Sequence, residues 1–328
     1  MKYFKVLNFD YGTMTMVSTP ENNISVVNAI RREMMSGIEV YALHEENATI
    51  LLNNSPFYSD FLLKNRIALI PAKYDNVKDK QLELHLCKQD NLSEPLKNNT
   101  QSNMIVRLKD FQIFNQEEKI NPEEVFLYPN MTILWLRPEQ EIHLKYNGFK
   151  KDNGYSHAMF QNFKITQYEH SGLDNYNNPE STLMTMESIG KIDAFSGFMI
   201  VLNKLATKLE NIKNNIIDVG SDTKISKIDD YYFTFSLQNE TFTISEILKH
   251  YIIKELDKLS NAGDNITSLF NVSANQVHPL KNEIIFQIQL YEPYILKGEQ
   301  EIKIIITTAC DNAIKELNIM IEEASSSS

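Results

Sequence analysis

The 328 residues carry 32 Lys+Arg against 43 Asp+Glu, a formal charge of −11, with 42% hydrophobic, 23% charged and 10% aromatic content. Only 10 Gly and 10 Pro rule out collagen-like and Pro/Gly-rich classes, the apolar share rules out a wholly disordered chain, and the acidic balance argues against a nucleic-acid coat. The length suits two domains or more.

Two cysteines, Cys87 and Cys310, give no disulfide framework and no zinc-site spacing, so a reducing compartment is expected. No stretch reaches the roughly 20 apolar residues that span a bilayer, and MKYFKVLNFDYGTMTMV has no secretory apolar core. The expectation is a cytoplasmic protein with no membrane contact.

In chain order, residues 3–18 read as strand broken by a turn or bulge at Gly12, from their mixture of aromatic and β-branched residues. A helix follows, with Ser25 as its N-cap, Val27, Ile30 and Met34 on one face and Gly37 as its stop. Ile38–Leu43 is strand-like. Residues 46–180 are expected to form a β-rich insertion, with a helix over Ser59–Asn65, a polar break at Ser93–Asn103 and strands at Thr132–Leu136 and Ile142–Tyr146.

After the strand Thr182–Ile189, Phe195, Phe198, Leu202, Leu205, Leu209 and Ile212 recur at alternating spacings of three and four, an apolar seam that needs a partner helix. Residues 214–230 read as a linker. A second module over 231–324 follows. It comprises a strand at Tyr231–Leu237, a capping box Thr243-Ile-Ser-Glu246 opening a helix, a strand at Glu283–Gln289, and a last helix over Thr307–Glu322. Ile244, Ile247, Leu248, Tyr251 and Leu256 line the first of these helices, and Cys310, Ala313, Leu317 and Met320 the second. The order strand, short helix, strands, long helix thus occurs twice.

Motifs with a defined mechanism are absent: no P-loop, dinucleotide fingerprint, HExxH, GxSxG or CxxC occurs. His143, His157 and His170, near Glu141 and Glu169, match no metal-site spacing, and His85 with Cys87 lacks an orienting third group, so neither set is assigned chemistry. Glu123-Glu124 after Pro122 reads as a helix first turn, and Trp135 as a core strand residue. Arg31-Arg32 beside Asn28 can form a fork for carboxylates or backbone carbonyls.

Six segments carry a resemblance. Val26–Ser36 (VVNAIRREMMS) is similar to the first helix of alpha-like subunits of cellular RNA polymerases. Phe61–Pro71 (FLLKNRIALIP) resembles the HRxGLIP stretch of the third-largest subunit of RNA polymerase II and archaeal D, and Met184–Gly190 (MTMESIG) its VESxG strand. The second module resembles the eleventh subunit, archaeal L, at Phe235–Ser245, Val277–Leu280 and Ala309–Ile314, with Ser245 in place of that family's Gly.

With both resemblances in one chain, the sequence resembles the fused subunit of large cytoplasmic DNA viruses. The resemblance implies an α+β fold of two alpha-subunit-type dimerisation modules paired through their helices, the first (1–45 and 181–213) carrying the inserted domain. It implies a non-catalytic assembly platform of a DNA-directed RNA polymerase, with no cofactor and no catalytic or metal-binding residue, active in viral factories of the cytoplasm and packaged in the virion. Partners would be the second-largest and largest subunits and small polymerase subunits, with DNA reached only indirectly. Asn28, Arg31, Arg32, Arg66 and Pro71 would face the large subunits, and Phe198, Leu202, Leu205 and Leu209 would pack on Leu248, Ala313 and Leu317. The rival readings are a stand-alone interaction adaptor and an α+β small-molecule enzyme.

Overall fold

The computed structural model describes residues 2–326 apart from 11, 20–22, 58, 78–79, 174–178, 191, 218–224, 230, 262–269, 277, 279–280, 282 and 291–298. Strands β1 (Phe4–Asp10) and β2 (Thr13–Ser18) precede helix α1 (Ile24–Arg32), which runs on into a π-helical turn over Glu33–Gly37. Next come β3 (Val40–Ala42), β4 (Ala48–Asn53), α2 (Asp60–Ala68), α3 (Tyr74–Val77) and β5 (Leu82–Leu86). Short elements follow: β6 (Leu96–Lys97), β7 (Met104–Arg107), β8 (Gln112–Asn115), β9 (Glu118–Ile120) and α4 (Pro122–Val125). Strands β10 (Thr132–Leu136), β11 (Glu141–Asn147), β12 (Lys150–Asp152), β13 (Phe163–Leu173) and β14 (Pro179–Ser188) lead to α5 (Ala194–Ile217). The chain closes with β15 (Ile225–Asp229), β16 (Tyr232–Gln238), α6 (Phe242–Asn261), β17 (Phe270–Gln276), β18 (Glu283–Leu290) and α7 (Glu299–Ser325).

The fold class is α+β, and the chain divides into two compact units. One comprises Met1–Met34, Ile165–Met186 and Phe195–Ser328; the other comprises Met35–Lys164 and Glu187–Ala194. The β-rich unit therefore begins earlier than residue 46, and most of β13 and β14 belongs to the other unit.

The first unit holds two four-stranded sheets, ordered β1-β2-β14-β13 and β15-β16-β18-β17. Each has one buried face, as the period of two demands: Met14 and Met16 on β2; Phe233, Phe235 and Leu237 on β16; Ile284, Phe286, Ile288 and Leu290 on β18. Phe235 and Phe286, cross-strand partners, stack with ring centroids 4.6 Å apart. Helix α6 packs along α1, α7 and β17, and the Phe198 ring on α5 meets Phe4 on β1 edge-on at 5.9 Å. Taking β1, β2, α1, β13, β14, α5 against β15, β16, α6, β17, β18, α7, the same element order and sheet order occur twice.

The second unit has a sheet ordered β4-β11-β5-β8-β9, with β6 also pairing with β11, and two two-stranded ribbons, β10-β7 and β12-β3. Its core gathers Leu63 and Ile67 of α2 with Leu82, Leu84, Leu86, Ile113, Leu134, Leu144 and Tyr146. Buried Asn98 secures the polar break expected at Ser93–Asn103: its Nδ2 donates to the carbonyls of Ser102 and Leu136, both at 2.8 Å, and its Oδ1 accepts from Thr100.

Several local expectations differ. Asn23, not Ser25, caps α1, its Oδ1 accepting from Ser25 N at 2.6 Å. No capping box forms at Thr243, because α6 starts at Phe242 and the Thr243 hydroxyl lies inside the first turn, buried and without a partner among the described residues. Within 214–230, the stretch to Ile217 completes α5 and Ile225–Asp229 is strand β15; residues 218–224 and 230 lie outside the described residues. So do Val277, Pro279 and Leu280 of the matched second-module segment. Trp135 is 46% exposed, on the outer side of the β10-β7 ribbon opposite exposed Ile105, and is not a core residue.

Candidate functional site

Helix α1 buries Val26, Val27, Ala29 and Ile30, which leaves Asn28, Arg31 and Arg32 half-buried at the rim of that apolar face. Arg31 Nε donates to Asn28 Oδ1 at 3.0 Å, one helical turn back, and the guanidinium lies 5.2 Å from the Tyr168 ring centroid on β13. Burial pushes the Tyr168 hydroxyl up, against the pull of Arg31. Arg32 makes no hydrogen bond or ion pair among the described residues. The pair thus presents one oriented and one uncommitted guanidinium, each a planar fork suited to carboxylates or backbone carbonyls. Tyr168 is the residue that sequence reading missed; the alternation of β13 puts it on a strand face but does not disclose that α1 lies there.

Behind this rim, Glu33 of the π-helical turn is 1% exposed and pairs with Lys204 Nζ of α5 at 2.9 Å. Arg66 and Pro71 belong to the other unit. Arg66 is exposed at the end of α2, its Nε donating to the Ile133 carbonyl at 2.6 Å and its guanidinium 5.3 Å from the Phe57 ring. Pro71 is buried; Ala42 and Pro71 form a β-bridge flanked by the Ala72 N to Tyr41 O bond at 2.8 Å. A buried prolyl ring offers a partner no surface, so Pro71 is corrected from contact residue to part of its own unit's framework.

Of the expected helix seam, Phe198, Leu202, Leu205, Leu209 and Ile212 on α5, Leu248 on α6, and Ala313 and Leu317 on α7 are buried, while Phe195 at the start of α5 is half-buried. Polar contacts flank it, with Lys213 of α5 paired to Asp311 of α7 and Lys208 to Glu240 just before α6.

The histidines do not converge. His143 is buried on β11, His157 Nδ1 caps a short turn by accepting from Met159 N, and His170 sits on β13 against Thr182. Cys87 is buried, and its Sγ accepts from Gln112 Nε2 at 3.1 Å; burial pushes the thiol up, away from the thiolate form a nucleophile needs. Among the described residues no group of three His, Cys, Asp or Glu side chains has the arrangement of a metal site, and no helix is long and apolar enough to cross a membrane. The chain matches no protein-family model and no curated protein sequence.

Proposed function

We propose that the chain is a non-catalytic assembly-platform subunit of a multisubunit DNA-directed RNA polymerase, two alpha-like dimerisation modules fused end to end. The observation that carries this reading is the repeat: two runs of strand, strand, helix, strand, strand, long helix, each with the same sheet order, within one compact unit. Such modules function as pairs, and a covalent link turns their association into an intramolecular step at an effective concentration of roughly millimolar. The buried seam on α5, α6 and α7 is what that pairing would bury.

In this reading the platform has one task, to hold the large subunits, and the α1 rim supplies the means. Arg31, oriented by Asn28 and Tyr168, and Arg32, free of internal partners among the described residues, take carboxylates or carbonyls of the second-largest subunit. Arg66 is the exposed cation for the largest or second-largest subunit on the β-rich unit. The chain would act in the cytoplasm of an infected cell, within viral factories, and travel in the virion.

The test is charge reversal. The Arg31→Glu, Arg32→Glu double variant keeps the wild-type circular dichroism spectrum and loses co-purification with the second-largest subunit; normal incorporation of that variant contradicts the proposal.

A further inference from the structure

A second site lies in the sheet-repeat unit, lined by none of the α1 residues. Helices α6 and α7 and the start of β1 border a cleft of about 240 Å³ lined by Lys2, Lys254, Lys258 and Lys315, with Tyr251 and Glu316. Four lysines around one small cleft are unusual in a chain of net charge −11.

Most of that positive charge is uncompensated. Lys258 pairs with Glu255 at 2.6 Å, and Glu255 is also held by Asn312 Nδ2 at 2.7 Å. The ammonium groups of Lys2, Lys254 and Lys315 form no ion pair among the described residues; those of Lys2 and Lys254 rest near the rings of Tyr3 and Tyr251, at 5.2 and 5.7 Å. Glu323 is engaged by the Lys2 backbone N–H at 2.7 Å.

Among the described residues lining the cleft the one acid is Glu316, 9% exposed. Its Oε2 accepts from the Tyr251 hydroxyl, and its Oε1 is buried with no hydrogen-bond partner among the described residues. Burial holds this carboxyl above the usual carboxylate range, against the opposing pull of Tyr251, Lys254 and Lys2. While protonated it adds no negative charge to the cleft, and its unpartnered oxygen supplies a hydrogen-bond donor.

We propose that this cleft binds the phosphate group of a small phosphorylated ligand, with Lys2, Lys254 and Lys315 supplying the charge and Glu316, held by the Tyr251 hydroxyl, among its lining side chains. Lysine ammoniums bind phosphate as point charges and require no fixed fork, which suits three flexible side chains offered by α6, α7 and the residue two positions ahead of β1. The site owes nothing to the polymerase reading and stands or falls separately.

The test is calorimetry on the full chain with inorganic phosphate, pyrophosphate and adenosine monophosphate as probes. Saturable binding of at least one probe is expected, the preferred probe separating free phosphate from a nucleotide as its source. Binding should weaken about tenfold or more in Lys254→Gln, Lys315→Gln, two charge-assisted contacts having been removed, and stay unchanged in Lys109→Gln on the other unit. With sulfate, whose charge is constant over the range, wild-type affinity should fall as pH rises and Glu316 ionises, and Glu316→Gln should remove that fall. No saturable binding of any probe, or equal binding by the double lysine variant, overturns the site; an unchanged pH dependence in Glu316→Gln overturns the role of the carboxyl.

Discussion

Lys204 Nζ on α5 lies 2.9 Å from Glu33 Oε2 in the turn that ends α1, and Glu33 is 1% exposed. A carboxylate so deeply placed depends on its cation, since removing one partner of a buried pair leaves an uncompensated charge. Lys204→Met should therefore destabilise the chain by about 3 kcal/mol, while adding Glu33→Met to it should recover most of the loss. Urea denaturation of the two single variants and the double closes the cycle; additive losses would mean that the pair carries no coupling.

Leu205, fully buried in the middle of the α5 seam, is the most informative apolar truncation. Leu205→Ala should cost about 2–5 kcal/mol, read as a lower midpoint in thermal or urea unfolding. An unmoved midpoint would show that the seam has no packed partner.

Acid sensitivity should reside partly in His250 on α6. Burial, helped by the Lys254 charge, pushes its imidazole down to about 4, and the ring stands edge-on to Tyr251 at 5.3 Å. A depressed value in the folded state means that the unfolded chain takes up the proton first. Stability is therefore full above the ordinary value near 6.5 and is lost as pH falls, by on the order of 3 kcal/mol at pH 4. His250→Phe, which keeps the ring and removes the titration, should flatten this limb in urea midpoints taken from pH 7 to 4; an equally steep loss would place the acid sensitivity elsewhere.

The long-period signals in the sequence translate well into structure. The three- and four-residue spacing from Phe198 to Ile212 marks buried positions of α5, and Ile244, Leu248, Ala313 and Leu317 occupy the buried sides of α6 and α7. Signals that depend on one residue translate poorly. Asn23 and Ser25 are both good caps, and only the backbone decides between them; Thr243 satisfies a capping-box pattern two residues too late, since α6 starts at Phe242. α7 begins at Glu299, eight residues before Thr307; Ile302, Ile305 and Ile306 continue its buried stripe, through a β-branched run whose propensity favours strand. β15 has one buried residue, Ile225, and so reads as linker.

Site geometry is legible only where it is local. Asn28 to Arg31 spans one helical turn and follows from spacing, whereas Arg31 over Tyr168 and Lys204 on Glu33 join residues more than a hundred positions apart. The burial of Pro71 depends likewise on its bridge to Ala42. No periodicity within one segment carries such information.

Affinity purification of the tagged chain from its native cells, with mass spectrometry of what stays bound at moderate salt, decides between a polymerase platform and a free-standing protein. The platform reading predicts the two largest polymerase subunits at near-equal stoichiometry with the chain, and their loss with Arg31→Glu, Arg32→Glu; recovery of the chain alone, or with proteins unrelated to a polymerase, would contradict it.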